Sequence, residues 1–347
     1  MTARWFMAAV PLAICLHWFD APPLFVCAAA LLAIVPLVRV IGDATEQLAA
    51  KQGPVAGGLV NSTLNNLPEL IIGGVALSHG LHGVVKASLT GAILANLLVS
   101  LGVALISGGV NREVQWVDRR RLTVSASMLM ICAFCFIVPA VFRLGAPEGT
   151  RGLSMEMSVV LLGMYFVNLA VTVFAPRNDT GLLAGEHHDD GAPGESSWRS
   201  LGVLGVSAGL LAIVSEALSD SLVPTAHRLG LTDTFSGIVL LGGVGSLGEI
   251  LASARFARQG KHSLVLSATV GSTIQIVLLV APLLVFAGMV LGQPMDLAFT
   301  SFEVVAIVLA TVITRELIQD GRANWFEGCL LLGVYVILAI GFFHLPA

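Results

Sequence analysis

Long apolar runs are the feature that most constrains how this 347-residue chain can fold. A helix needs about 20 apolar residues to cross the hydrocarbon core of a bilayer, and only helices or closed barrels satisfy their backbone there. The runs therefore predict an all-α polytopic membrane protein with about eleven transmembrane helices. Their approximate bounds are 5–19, 23–41, 54–78, 83–107, 121–142, 153–175, 199–217, 233–254, 263–290, 297–315 and 325–344.

Composition excludes the main soluble classes. Only 12 % of the residues are charged, 56 % are hydrophobic and the mean hydropathy is +0.89, whereas a soluble domain carries about 25 % charged residues. This excludes a soluble enzyme, a disordered chain and a nucleic-acid binder, and it leaves the lipid bilayer as the surroundings of the chain. Cys132 and Cys135 have redox or metal spacing, but they lie in an apolar run and are interpreted as small buried hydrophobes.

The basic residues predict the orientation of the chain. With eleven spans, 14 of the 18 Lys and Arg fall on the side of the N-terminus, and the other four are Lys86, Arg143, Arg151 and Arg228. The positive-inside rule then predicts a cytoplasmic N-terminus and an outer C-terminus. The short loops suit a bacterial inner membrane. Residues 176–198 form the one long hydrophilic stretch, which contains His187-His188-Asp189-Asp190 and is predicted to be a cytoplasmic linker.

The two halves of the chain carry the same pattern. In each half a glutamate inside an apolar run is followed by glycines at 11 and 22 positions further on: Glu69, Gly80 and Gly91, then Glu249, Gly260 and Gly271. A repeat of five spans is odd in number, so the second copy must insert upside down. We predict an N-terminal helix in residues 1–22, one five-helix repeat in 23–175 and its inverted copy in 199–347.

The repeated glutamates indicate an ion site. A charged carboxylate inside a bilayer is costly unless it is paired, protonated, hydrated or bound to a cation. Pro68 before Glu69, and the glycines in 242–248 before Glu249, break the helices and expose carbonyls. Two carboxylates balance one divalent cation or two protons, and hard cations such as Ca²⁺ prefer oxygen ligands. The predicted ligands are Glu69, Glu249, Asn65, Asn66, Asn96, Gln275, Ser88, Ser246 and Ser272.

Two motifs identify a family. The first is Asn65-Asn66-Leu67-Pro68-Glu69 and the second is Gly245-Ser246-Leu247-Gly248-Glu249. With their flanking stretches they resemble the calcium/cation antiporter superfamily and, within it, the Ca²⁺/H⁺ exchangers. The resemblance implies eleven helices, a central site formed by both glutamates, and proton-coupled Ca²⁺ export. The second motif departs from the family, because Ser246 stands where the exchangers typically have Asn.

Several alternatives stay open. Na⁺/H⁺ or Na⁺/Ca²⁺ exchange is an alternative on the same fold, and a channel-like scaffold is another. An enzyme is not expected because no nucleophile, metal–His set or cofactor loop is visible, so the ions Ca²⁺ (or Na⁺) and H⁺ are substrates and no permanent cofactor is expected. Glu303 suits either a proton path or an interfacial acid. The acidic stretches around Glu46 and Glu216–Asp220 are interpreted as helix ends near the two membrane faces.

Overall fold

The computed structural model describes residues 8–345 except 53–56, 58–59, 62, 110–114, 117–118, 175–196 and 320, so the predicted His187–Asp190 linker lies outside the described residues. Two short strands, β1 (Gln115–Trp116) and β2 (Arg322–Ala323), pair antiparallel. Residues 57, 60–61 and 63–64 are helical. The other helices are α1 (Ala9–Trp18), α2 (Pro23–Ala50), α3 (Leu67–Ser78), α4 (His82–Gly109), α5 (Arg119–Gly145), α6 (Thr150–Phe174), α7 (Ser197–Arg228), α8 (Asp233–Gly245), α9 (Leu247–Arg258), α10 (His262–Val290), α11 (Ser301–Ile318) and α12 (Trp325–Phe343).

The helices have the length and the surface of membrane spans. Among the described residues, seven helices are long and apolar enough to cross a bilayer: α2, α4, α5, α6 with its preceding 3₁₀ turn, α7, α10 and α12. The pair α8 and α9, bent by 47°, is an eighth candidate. Large apolar side chains such as Phe166 and Ile337 lie on the outside, as expected against lipid. The helical membrane class is confirmed, and the count of eleven spans stays a prediction.

Two predicted boundaries were wrong. The apolar runs of α2 and α7 were expected to end at residues 41 and 217, but these helices continue to Ala50 and Arg228. The apolar period persists beyond each run, since Ala44 and Leu48 stay buried in α2 while Glu46 and Gln47 face outward. Glu46 and Glu216 are therefore exposed residues inside long helices and do not mark helix ends.

The buried side chains form two clusters with a boundary between them. One cluster is built mainly from α1, α2 and α7, and we call these three helices the three-helix body. The other is built mainly from α4, α5, α6, α10, α11 and α12, and we call it the main body. Helix α3 contributes Ile72 to the first cluster and Leu77 to the second, and α8 likewise contributes Leu241 and Ile238. Helices α3 and α8 therefore lie along the boundary.

The repeated glycines have structural reasons. Gly80 and Gly260 both have φ near +74°, in the left-handed region that favours glycine, and each begins the turn after a short helix. Gly91 of α4 faces α8, where a Cβ would overlap the backbone of Ile238, and a Cβ on Gly242 would overlap Gly91 itself. The α4–α8 contact is therefore backbone against backbone, which small residues allow in membrane proteins.

We expect Gly91→Ala to lower the free energy of unfolding by about 1–3 kcal/mol, the usual cost of inserting a methyl group into a packed contact. The matched control is Gly83→Ala on the same helix, because a Cβ there meets nothing within 4 Å. Thermal midpoints in detergent measure both variants. An unchanged midpoint for Gly91→Ala would contradict the close α4–α8 contact.

Candidate cation site

Both predicted glutamates stand in the first turn of a helix that restarts after a break. Helix α3 begins at Leu67 after a turn at Asn65 and Asn66, and Glu69 is its third residue. Helix α9 begins at Leu247 after a turn at Ser246, and Glu249 is again the third residue. The predicted breaks therefore exist, and each carboxylate lies at the positive end of a helix dipole, where an anion is stabilised.

The residues before these glutamates have the pattern of a capping box that does not close. Asn66 and Glu69, like Ser246 and Glu249, have the spacing in which a cap side chain and a carboxylate bond each other's backbone N–H. Neither Asn66 nor Ser246 makes that side-chain bond. Helices α11 and α12 have the same spacing and do close, through Thr300 with Glu303 and Asn324 with Glu327. The open boxes leave oxygens free for another partner.

Several buried oxygens of the predicted ligands have no hydrogen-bond partner among the described residues. Glu249, Asn66, Asn96 and Ser246 are buried and Glu69 is half-buried. Fully buried atoms that accept no hydrogen bond include Glu69 Oε2, Glu249 Oε2, Asn66 Oδ1, Asn96 Oδ1 and Ser246 Oγ. Buried polar atoms are nearly always hydrogen-bonded, so five unpartnered oxygens from the predicted ligand set suit a cation.

Hydrogen bonds orient the two asparagines. Asn66 Nδ2 donates to Gln275 Oε1 at 2.6 Å, which links α10 to the turn before α3. Asn96 Nδ2 donates to Ser272 Oγ at 3.3 Å, which links α4 to α10. Each amide thus uses its nitrogen for a structural bond and keeps its oxygen available. The halves differ, since Asn66 bonds the amide of Gln275, whereas the Oγ of Ser246, the corresponding residue of the second half, has no hydrogen-bond partner among the described residues.

The helices behind the glutamates contain π-helical turns that the sequence analysis missed. Ala95–Ser100 of α4 is π-helical, and α10 has π-helical turns at Ser267–Gly271 and Ile276–Val280. Two hydroxyls donate to the first of these segments: Ser253 to the carbonyl of Ser100 at 3.1 Å, and Thr314 to that of Leu97 at 3.4 Å. Such π turns occur frequently at functional sites. Ser253 and Thr314 donate to this segment, but their positions in the sequence do not predict a π-helical turn in α4.

The remaining predicted residues lie in different settings. Asn65 is half-buried in the turn beside Asn66. Ser88 Oγ donates to the carbonyl of Val85 in its own helix, about 12 Å along α4 from Asn96, so it lies away from the unpartnered oxygens. Among the described residues no group of three or more His, Cys, Asp or Glu side chains is suited to a metal ion, which leaves amides and hydroxyls to supplement the two carboxylates.

Glu303 was expected to be either a proton-path residue or an interfacial acid. It is a buried residue, and the proton path stays a prediction. It is 2 % exposed, and its Oε1 accepts a hydrogen bond from Thr90 of α4 at 3.2 Å. Its Oε2 accepts bonds from the backbone and the hydroxyl of Thr300 at 2.8 and 2.7 Å. The carboxylate is therefore fully bonded. It caps α11 and ties that helix to α4.

Known proteins resemble the chain over nearly its whole length. The profile of the sodium/calcium exchanger protein family matches residues 23–174 and 199–343. A Ca²⁺/H⁺ antiporter of Aphanothece halophytica is 35 % identical over 97 % of this chain and 95 % of that protein. One of Synechocystis sp. is 37 % identical, with the same coverage of each. The structure of native YfkE superposes with a TM-score of 0.85 at 32 % identity, over 97 % of this chain and 98 % of that one.

We expect Gln275→Leu to weaken cation binding about ten- to hundredfold, because a residue that orients a ligand typically contributes that much. The Asn66 amide then loses the acceptor at 2.6 Å that holds it. A Ca²⁺ titration followed by the thermal midpoint measures the affinity. Ser154→Ala is the control, since it removes a buried hydroxyl that bonds Leu297 elsewhere in the protein. Wild-type affinity in Gln275→Leu would contradict the orienting role.

Proposed function

The chain belongs to the sodium/calcium exchanger protein family and, within it, to the Ca²⁺/H⁺ exchangers, and on that premise we propose that it moves Ca²⁺ out of the cell in exchange for protons. Its homologues are transporters, and the chain is an integral membrane protein. Cations and protons are its substrates. The finer assignment of the residues that bind them rests on the geometry described above.

The observation that supports the site best is the set of five buried, unpartnered oxygens around Glu69 and Glu249. Two carboxylates match the charge of one Ca²⁺, and the oxygens of Asn66, Asn96 and Ser246 bring the set toward the six to eight oxygen ligands that Ca²⁺ takes. Carbonyls and water would complete the shell. Asn65, Gln275 and Ser272 then position the turn before α3 and the side-chain amides of Asn66 and Asn96. Ser88 lies further along α4, away from these ligands.

Exchange follows from competition for the same carboxylates. When Ca²⁺ binds, both glutamates must be ionised, because a protonated carboxyl neither balances the charge nor presents both oxygens. When protons bind, the pair is neutral and the ion is released. The two glutamates are unfavourable inside the bilayer when they are ionised and no cation is bound. The protein therefore changes the face to which the site is open only with Ca²⁺ or protons bound. This condition couples the two fluxes.

Alternating access needs two parts that can move relative to each other. The three-helix body and the main body have separate hydrophobic clusters, and the helices bearing the glutamates lie along or beside their boundary. A shift of the three-helix body past this boundary would uncover the site on one face and cover it on the other. We propose that residues 23–175 and 199–347 are inverted repeats, so that the same shift has opposite effects at the two faces.

The orientation of the chain belongs to the same proposal. The distribution of Lys and Arg supports a cytoplasmic N-terminus and an outer C-terminus in a bacterial inner membrane. The C-terminal ends of α1 and α3, and that of α7, then lie toward the outer face. Protons bind from that face, and Ca²⁺ binds from the cytoplasm.

We expect Glu69→Gln and Glu249→Gln each to abolish exchange, because a single remaining carboxylate neither balances Ca²⁺ nor carries two protons. Initial uptake of radioactive Ca²⁺ into everted membrane vesicles with an acidic lumen measures exchange, with and without Na⁺. Uptake that required Na⁺ and ignored the proton gradient would contradict the proposed coupling.

Glu303→Gln is the matched control for both variants. It is also a glutamate at the third position of its helix and it is buried, but its oxygens are already bonded to Thr90 and Thr300. We expect it to retain Ca²⁺ uptake, since Gln keeps an acceptor for those bonds. Loss of uptake in all three variants, or in none, would contradict the site assignment.

A further inference from the structure

A histidine–aspartate cluster lies at the end of α3 opposite Glu69. Asp220 Oδ1 of α7 lies 3.1 Å from His79 Nδ1, and its other oxygen lies 3.7 Å from Nε2 of His17, in the last turn of α1. The two histidines are about 30 % exposed and Asp220 is 46 % exposed, so all three meet water. His79 is the C-terminal cap of α3 and lies about 15 Å along the helix axis from Glu69.

This cluster joins the two bodies. Asp220 and His17 belong to the three-helix body, and α7 packs along α3, which lies at its boundary with the main body. The contact between His79 and Asp220 therefore crosses from α7 to the helix that bears Glu69. Any motion that parts α7 from α3 at this face must break it.

The matching position in the other repeat is different. Helix α9 ends at Gln259, as α3 ends at His79, and each is followed by a glycine with φ near +74°. Gln259 has a side chain that cannot change its charge. The residue that corresponds to Asp220 is Ala50, when Thr45-Glu46 is matched to Ser215-Glu216. One repeat thus has a contact between a histidine and an aspartate, and the corresponding position of the other repeat has neither residue.

We propose that His79 is a positioning residue for exchange: with Asp220 and His17 it forms a proton-sensitive latch that holds α7 against α3 at the outer face. Histidine ordinarily changes charge between pH 5 and 8. A neutral imidazole gives Asp220 one ordinary hydrogen bond, and a protonated one gives a charge-assisted bond that is roughly twice as strong. Acid at the outer face therefore tightens the latch and slows opening to that side, which limits exchange when the outer medium becomes strongly acidic. The inference rests on the proposed function.

Other charged and titratable residues near the latch lie on or beside α1, α4 and α7. Helix α2 has no Asp, Glu, Lys, Arg or His between Pro23 and Val38, and α10 has none between Ala281 and Val290. Lys86 of α4 is bonded to Asp296 at 3.0 Å. Asp20 follows α1, Glu216 lies one turn before Asp220 on α7, and His82 begins α4.

The test compares His79→Gln, which installs the residue of the other repeat, with the wild type. Initial Ca²⁺ uptake is measured in everted vesicles at lumenal pH from about 8 to about 5.5, with the pH difference across the membrane held constant. We expect the ratio of variant to wild-type rate to rise from about one to about two- to fivefold as the lumen is acidified, the factor that an exposed ion pair supplies. Asp220→Asn should give the same rise.

His227→Gln is the matched control, because His227 is also paired with an aspartate, Asp233, at 3.5 Å, but its pair joins the end of α7 to the start of α8, five residues away. Its rate ratio should stay near one at every pH. A flat ratio for His79→Gln, or an equal rise for His227→Gln, would overturn the latch. Wild-type vesicles that show no uptake driven by the proton gradient would instead overturn the proposed function.

A second readout tests the latch without transport. Protonation strengthens the contact between His79 and Asp220, so its contribution to stability is present at low pH and is lost as the pH rises. The thermal midpoint of the purified wild type minus that of His79→Gln should therefore be larger at about pH 5.5 than at about pH 8. A difference that does not change with pH would overturn the latch even if exchange is confirmed.

Discussion

The arrangement depends on the cost of placing two carboxylates, those of Glu69 and Glu249, inside a bilayer. Glu69 and Glu249 meet this cost through position, because each stands in the first turn of a restarted helix, surrounded by oxygens that lack partners. A protein core would ordinarily pair such atoms. We propose that these oxygens make the site stable only with protons or a cation present, and that this condition couples the movement of one to the other.

The surrounding fold keeps these oxygens in place and keeps them free. Gly91 and Gly242 bring α4 and α8 into backbone contact; Asn96 lies in the π-helical turn of α4, and Gln275 lies between the two π-helical turns of α10. The closed capping boxes at Glu303 and Glu327 show the alternative that the same residue pattern adopts when its oxygens bond each other. The difference lies in the backbone: Thr300 and Asn324 are extended, whereas Asn66 and Ser246 are turned away from the extended region.

Much of this was predictable from the sequence because it rests on long or repeated signals. The apolar runs indicated the helical membrane class, and Pro68 and the glycines in 242–248 indicated the helix breaks before Glu69 and Glu249. Local competition decided the rest. The ends of α2 and α7 were missed because a helix continues while one face stays apolar, whatever the mean hydropathy. The π turns, the open capping boxes and the bond between His79 and Asp220 depend on partners more than a hundred residues away or on backbone angles that no residue type specifies.

The most direct test of the shared site is the number of protons released when Ca²⁺ binds to purified protein in weakly buffered detergent solution, followed with a pH indicator. The account predicts up to two protons per Ca²⁺ in the wild type, since both carboxylates must ionise, and at most one in Glu249→Gln if that variant still binds the ion. Ca²⁺ binding without proton release at every pH would contradict it, because the ion and the protons would then not compete for the same pair.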